Sequence, residues 1–225
     1  MNENVLIVAA HPDDEVLGCG GVIAKHIDDN DNVSVVFMAD GVESRNYQDF
    51  ESNISDRKTH ALKACSILGV NNPIFLNFPD NRMDSIPLLD VIKSIEKIID
   101  KLSPTIIYTH NDSDLNIDHR ITYQAVMTSC RPQQGSSIKK IYLFEVLSST
   151  EWSLSSYGSF VPNCFVDITN FIDVKIDALN EYLYEINEFP HPRSVEAVKA
   201  LAKIRGSSSG FMYAEAFKVE RDIVS

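Results

Sequence analysis

Long hydrophobic runs and targeting segments are missing from this sequence. A membrane-spanning helix needs about 20 consecutive apolar residues, and no stretch of the chain approaches that length. The first residues, Met1-Asn2-Glu3-Asn4, carry no basic side chain and lead directly into a short apolar run, unlike a signal peptide. From the sequence we therefore expect no membrane span and a cytoplasmic location.

Basic residues and cysteines are also scarce. Lys and Arg total 20 against 32 Asp and Glu, and the resulting formal net charge of -12 disfavours a nucleic acid or an anionic membrane as partner. The four cysteines are scattered without a CxxC pair, which argues against a disulfide framework and against a cysteine-rich structural zinc site. We expect buried free thiols, of which Cys19 lies next to the candidate site described below.

The chain does contain a regular alternation of short apolar runs and helical patterns, which predicts a mostly parallel α/β sheet with right-handed crossovers. Its length of 225 residues fits one domain over 1–225, with the last two helices as a helical C-terminal extension. A polar segment over 40–50 is predicted to be a loop. The predicted strands are 5–10, 33–39, 74–78, 105–109 and 140–147, and the predicted helices are 16–29, 52–68, 87–102, 119–130, 173–188 and 194–205.

Two polar loops follow predicted strands, at the sheet edge where open α/β proteins bind ligands. The first loop, 10–15, places three carboxylates in a row, and their mutual repulsion would be relieved by a cation. His11 and Asp14 can supply two metal ligands from one turn and leave Asp13 off the metal as a base. The alternative is that the acidic residues only cap the following helix, but capping does not explain His11.

The second loop, 110–120, offers a third ligand. His119 is favoured because Asp118 and Arg120 beside it can orient or screen its ring, and His110 is the rival. Two histidines and one aspartate leave coordination positions open for water and substrate, as a catalytic site requires. The same ligand types form the facial triad of non-haem iron oxygenases, so that enzyme class is one alternative.

The motifs in these loops, AHPDDEVLGCGG (Ala10–Gly21) and DLNIDHR (Asp114–Arg120), resemble the signatures of the PIG-L/LmbE-like N-deacetylases. The resemblance implies a Rossmann-like sheet and a zinc-dependent hydrolase that removes an N-acetyl group from a small-molecule amino-sugar conjugate. Further similar segments along the chain are FPDNRM (Phe78–Met83), SSTEW (Ser148–Trp152) and HPRS (His191–Ser194).

The resemblance also implies roles position by position. His11, Asp14 and His119 match zinc ligands, and Asp13 matches the general base that activates water. Other positions match residues that contact the substrate or line its site, namely Arg57, Asp80 and His191. Relatives commonly assemble, so a homo-oligomer is a further expectation.

One position departs from some relatives. Asn116 stands where they have a histidine that assists as an acid or polarises the carbonyl. Asparagine can donate a hydrogen bond to an oxyanion but cannot deliver a proton near neutral pH. The candidate proton donors are therefore Asp13, His110 and His191, and a second alternative is a non-catalytic sugar- or metal-binding member of the same fold.

Overall fold

Within residues 2–39 and 50–224, which the computed structural model describes, a seven-stranded sheet forms the centre of the protein. The first five strands pair in parallel in the order β3-β2-β1-β4-β5, so the predicted parallel sheet is confirmed. Residues 40–49 of the predicted polar loop lie outside the described ranges. The strands are β1 (Asn4–Ala9), β2 (Asn32–Ala39), β3 (Ile74–Phe78), β4 (Ile106–His110), β5 (Lys140–Phe144), β6 (Cys164–Asp167) and β7 (Ala214–Asp222).

Helices cover both faces of this sheet. In β1, Val5 and Ile7 pack on one face while Leu6 and Val8 pack on the other, which explains why the run is apolar without alternation. No helix of the described ranges is long and apolar enough to cross a membrane. The first face is covered by α1 (Asp14–Asp28), α2 (Phe50–Ile67), α5 (Ile172–Asn180) and α6 (Val195–Ser207), and the second by α3 (Leu88–Leu102) and α4 (Ile117–Ser129).

The C-terminal part differs from the prediction in two ways. The helix predicted over 173–188 ends at Asn180, because Tyr182 and Glu185 leave the helical path and are buried toward the first polar loop. The sequence patterns also did not predict β6 and β7. Strand β7 pairs antiparallel with β5, and β6 pairs antiparallel with β7. The predicted helical extension is therefore combined with two further strands of the same sheet, β7 and the edge strand β6.

Helix α1 is interrupted at Cys19, where φ is -148° and ψ is 23°. The interruption frees backbone groups in the middle of a buried helix. The N–H groups of Gly21 and Val22 donate to the Glu215 carboxylate at 2.9 and 2.7 Å, and Lys175 Nζ donates to a carbonyl of the preceding turn at 2.9 Å. Because Lys175 and Glu215 also pair at 2.6 Å, this buried ion pair caps the interruption and anchors the helix that begins in the first polar loop.

The glycines of α1 allow close contact with the neighbouring elements. A Cβ atom on Gly21 would lie 2.7 Å from the Ile168 side chain, whereas one on Gly20 would lie 3.2 Å from the side chains of Lys175 and Val16, a smaller overlap. We expect Gly21→Ala to have an unfolding free energy about 1–3 kcal/mol below that of Gly20→Ala, because it overpacks the core. The gain in helix propensity is common to both variants and cancels in the comparison. Urea unfolding measures the difference, and equal midpoints would show that this contact is not tight.

Candidate metal centre

The two polar loops leave neighbouring strands at the carboxyl edge of the sheet. Strand β1 pairs with β4, with Val8 opposite Thr109, so the loops that follow these strands emerge side by side. The strand order also reverses between β1 and β4. Such a switch point is where open α/β sheets bind ligands.

His11, Asp14 and His119 lie together at this position. Asp14 Oδ2 is 3.3 Å from His11 Nδ1 and 3.2 Å from His119 Nε2. One ligand atom from each of the three residues lies within 4.8 Å of the others, and all three residues are buried. The predicted ligands are therefore brought together as a group able to bind a metal ion.

Carboxylates stand behind both imidazole rings. His119 Nδ1 is 3.1 Å from Asp114 Oδ1, and His11 Nε2 is 3.1 Å from oxygens of both Asp80 and Asp118. A carboxylate on the outer nitrogen of a ligating histidine fixes the ring and increases its basicity. The inner nitrogens, His11 Nδ1 and His119 Nε2, are thereby directed at Asp14.

The orienting residues differ from those predicted. Asp118 faces His11 and not His119, and its two oxygens accept the backbone N–H groups of Asn81 at 2.7 Å and Met83 at 3.0 Å. The role predicted for Asp118 at His119 is taken by Asp114. Although His11, Asp80 and Asp118 also lie close enough to hold a cation, these backbone bonds identify Asp118 as an orienting group.

Arg120 was also expected to orient or screen His119. Its Nη1 instead donates to the backbone carbonyls of Asp114 at 2.6 Å and Leu115 at 2.5 Å. The Asp114 side chain is held independently, since Thr150 Oγ1 donates to its Oδ2 at 2.6 Å and Ser149 Oγ donates to its Oδ1. Arg120 thus shapes the second loop, while the segment 149–150 fixes the carboxylate behind His119.

The electrostatics of the group favour a bound cation. Burial lowers the pKa of His119, but Asp14 and Asp114 outweigh it and raise that pKa to about 9. Burial acts against ionisation of Asp14 too, yet the neighbouring His119 and His110 hold its pKa well below the usual range. Among the described residues, Asp14 Oδ1 is buried without a hydrogen-bond partner. Carboxylates that stabilise positive charge at His119, together with a carboxylate oxygen that is left unmatched, fit a divalent metal that would take the place of the proton.

His110 is less suited to be the third ligand. Its Nε2 accepts the backbone N–H of Ala10 at 2.8 Å, and its ring stacks on that of His119 with centroids 3.9 Å apart. Burial, followed by the proximity of His119, lowers the pKa of His110 well below its ordinary value. The His110 ring is thus neutral and already bonded to the first loop, and it packs against His119. This arrangement favours His119, and not His110, as the third ligand.

Asp13 lies beside the metal-binding group in an uncommon backbone conformation. Its φ is 112° and its side chain makes no capping hydrogen bond to α1, so helix capping does not account for it. Oδ2 accepts a hydrogen bond from Arg193 Nη1 at 2.7 Å, and Arg57 Nη2 is 3.9 Å from Oδ1. Burial raises the pKa of Asp13 to about 6, against the lowering effect of both arginines.

Arg57, a predicted substrate contact, lies close to Asp13. Its Nη2 donates to the carbonyl of Pro12 at 3.0 Å, and its Nη1 is 3.0 Å from Glu185 Oε1. Asp80 lies behind His11 with only 2% of its surface exposed. The structure therefore brings Arg57 to the first loop and places Asp80 on the outer side of the candidate ligand His11.

Asn116 and His191 have identifiable local partners. Asn116 is the N-cap of α4, where its Oδ1 accepts the N–H of Asp118 at 2.8 Å and its Nδ2 donates to Asn81 at 3.0 Å. His191 Nδ1 accepts the backbone N–H of Arg193 at 3.1 Å, and its ring meets Trp152 edge-on at 6.4 Å. Both residues therefore border the site through their neighbours.

Several residues at the site were not predicted from the sequence. The HPRS motif predicted a site residue at His191, but it is Arg193 of this motif that contacts Asp13. Glu15 Oε2 accepts the Asp13 N–H at 3.0 Å, and Tyr182 donates to Glu15 Oε1 at 2.5 Å. Burial raises the pKa of Glu15 to about 8 despite that hydrogen bond. The contacts of Arg193 with Asp13 and of Tyr182 with Glu15 join residues more than 160 positions apart, and only the four-residue HPRS match, which includes Arg193, indicated any of them.

The cysteines behave as predicted from their spacing. Cys19, Cys65 and Cys130 are buried free thiols, and Cys164 is a partly buried one. Burial raises the pKa of Cys19 well above its ordinary value, which keeps it a thiol and not a reactive thiolate. Cys19 therefore has a packing role next to the site.

An α/β sheet with a buried group of two histidines and one aspartate at its switch point has the architecture of a metal-dependent hydrolase. Residues 6–130 match the PIG-L family, described as GlcNAc-PI de-N-acetylase. The chain is 31% identical over 186 residues to the uncharacterized deacetylase YaiS of Escherichia coli (strain K12), covering 80% of this chain and 90% of that protein. The chain belongs to the PIG-L family, and its relatives include deacetylases.

Two relatives of lower identity are deacetylases that match nearly the whole chain. Diacetylchitobiose deacetylase of Thermococcus kodakarensis is 25% identical over 231 residues, covering 96% of this chain and 82% of that protein. The structure of N,N'-diacetylchitobiose deacetylase from Pyrococcus horikoshii has a TM-score of 0.79 at 23% identity and covers 96% of this chain and 83% of that one.

The same fold also occurs in an enzyme of another class. GalB, the 4-carboxy-2-hydroxymuconate hydratase of Pseudomonas putida KT2440, has a TM-score of 0.79 at 21% identity and covers 100% of this chain and 98% of that one. At this level of identity the likeness shows the fold alone. The reaction is therefore argued from the residues of the site.

Proposed function

We propose that the protein is a zinc-dependent deacetylase that hydrolyses the acetamide of an N-acetylated amino-sugar conjugate and releases acetate. The observation that carries the proposal is the buried group of His11, Asp14 and His119 with the Asp13 carboxylate directly beside it. The names of the relatives support the substrate class, since they include diacetylchitobiose deacetylase and a probable N-acetyl-α-D-glucosaminyl L-malate deacetylase of Bacillus subtilis.

His11, Asp14 and His119 would hold the metal, and two imidazoles with one carboxylate are a donor set that suits Zn²⁺. When bound, such an ion acts as a Lewis acid that lowers the pKa of water to around 7 and polarises the carbonyl of the substrate. Groups that contribute to the site span residues 11 to 193, so the proposed activity requires residues 1–225 to act as one domain.

Asp13 moves the proton in this mechanism. Its carboxylate accepts a proton from the attacking water as the new C–O bond forms at the acetyl carbon. The same carboxyl then delivers that proton to the amine nitrogen as the C–N bond breaks, which yields acetate and the free amino sugar. A pKa of about 6 is close to neutral pH, where one group can both accept and return a proton.

The remaining predicted residues are assigned to the substrate or its surroundings. Arg57 and His191 contact the sugar conjugate from the side of Asp13, and Asp80 contributes indirectly by holding the outer nitrogen of His11. A primary amide carries two hydrogens, and Asn116 donates one of them to Asn81. The second is the hydrogen that a developing oxyanion would accept.

A panel of N-acetylglucosamine conjugates tests the proposal. Purified protein loaded with Zn²⁺ should release acetate and free amine in equal amounts from at least one of diacetylchitobiose, the malate conjugate and the phosphatidylinositol conjugate. Oxygen consumption should be absent, which separates this reaction from that of an iron oxygenase. Zinc-loaded protein that binds these conjugates without releasing acetate would instead be a non-catalytic member of the family.

A further inference from the structure

Arg193 donates a hydrogen bond to the Asp13 side chain. Its Nη1 lies 2.7 Å from Asp13 Oδ2, and the two residues are 180 positions apart in the chain. Arg193 belongs to the HPRS segment (His191–Ser194), in which the family resemblance implies a role for His191. In the structure, the arginine of that segment reaches the carboxylate proposed as the base.

The Arg193 side chain is fixed at several atoms. Its Nε donates to Ser148 Oγ at 2.6 Å, its Nη1 is 3.4 Å from Glu185 Oε2, and its backbone N–H donates to His191 Nδ1 at 3.1 Å. The side chain is only 20% exposed. A planar guanidinium held in this way keeps its donors in a defined direction before substrate arrives.

The two oxygens of Asp13 have different surroundings. Oδ2 accepts the hydrogen bond from Arg193, whereas Oδ1 is buried without a hydrogen-bond partner among the described residues. Arg57 Nη2, at 3.9 Å from Oδ1, is beyond hydrogen-bond range. Without Arg193, no described donor would fix the rotation of this carboxylate.

We infer that Arg193 is a positioning residue that holds Asp13 through Oδ2 and thereby presents Oδ1 as the proton-accepting atom. The inference rests on the proposed role of Asp13 as the base. Ser148 completes the arrangement, because its hydroxyl holds Nε and so fixes the plane of the guanidinium. Lysine cannot reproduce this, since a single ammonium does not provide two directed donors on separate nitrogens.

Steady-state kinetics of Arg193→Met and Arg193→Lys test the inference. A misplaced base costs on the order of 100-fold in rate, so Arg193→Met should lower kcat by about that factor with KM and zinc content unchanged. Arg193→Lys should recover only part of the loss. Arg205→Met is the matched control, since Arg205 is 22% exposed and pairs with Glu145 at 2.7 Å away from Asp13, and it should keep wild-type kcat.

Chemical rescue separates positioning from general stability. Added guanidinium at millimolar concentration should raise kcat of Arg193→Ala and leave Asp13→Asn unchanged. The inference is overturned if Arg193→Met retains wild-type kcat, if Arg193→Lys is fully active, or if zinc and Tm fall together with kcat. Those results leave the proposed function intact, whereas an active Asp13→Asn would contradict the base assignment itself.

Discussion

Replacing Asp13 with asparagine should lower kcat by about 100- to 10,000-fold, the range that a proton-transfer group contributes. The change keeps the size of a side chain that is 1% exposed, but an amide oxygen cannot take up a proton from water. Zinc should remain bound, because the proposed ligands are His11, Asp14 and His119. Acetate release and metal content, measured on the same preparation, check both parts of the expectation.

Asp112 provides the control for this substitution. It lies in the second polar loop, is 44% exposed and pairs with Lys218 at 3.6 Å, so Asp112→Asn removes the same charge away from the metal-binding group. We expect wild-type kcat for that variant. Full activity in Asp13→Asn would require a different base, and loss of zinc from it would place Asp13 among the ligands.

Replacing His119 with alanine should weaken zinc binding by more than about 100-fold, the upper end of the effect of losing an orienting group. Asp114→Asn should be milder, at about 10- to 100-fold, because it removes the carboxylate behind His119 Nδ1 and leaves the ligand in place. Zinc content after dialysis against a competing chelator gives this ranking directly.

The variant His110→Ala distinguishes His119 from His110 as the third ligand. It removes the ring that stacks on His119, yet it should retain one zinc per chain if His119 is the ligand. Stoichiometric zinc in His119→Ala together with none in His110→Ala would reverse the assignment. A milder loss in His119→Ala than in Asp114→Asn would also contradict the ligand set.

The regular part of the fold could be predicted because its signals are local. The run Val5–Ala9 is apolar at every position because the strand is covered on both faces, and the polar loops after β1 and β4 follow from strand ends that share one sheet edge. The grouping of His11, Asp14 and His119 could be predicted in this way, with His110 as the rival, since each lies within one short loop or at the start of the helix that follows it.

The remainder of the site depends on contacts between distant segments. Glu215 lies near the start of β7, where it caps the interruption of α1 from within the core, and a buried charge obscures the apolar pattern that marks a strand. Tyr182 and Glu185 continue a helical pattern in sequence but turn toward Glu15 and Arg57. No local pattern indicates such a partner, so the helix was predicted to be too long.

The exchange of orienting residues has the same origin. Asp118 adjoins His119 in sequence, but side chains at consecutive helical positions point in different directions, and Asp118 faces His11. Asp114, five residues before His119, takes its place because the second loop folds back onto the start of α4. Sequence proximity was therefore a poor guide to which carboxylate supports which ligand.

The central claim is that zinc held by His11, Asp14 and His119 enables amide hydrolysis with Asp13 as the base. Titrating Zn²⁺ into metal-stripped protein, with acetate release from an N-acetylglucosamine conjugate as the readout, tests it most directly. We expect activity to rise in proportion to added zinc and to level off at one ion per chain, while Asp13→Asn binds one ion without turnover. Acetate release that is unchanged by stripping the metal, or that persists in Asp13→Asn, would contradict the account.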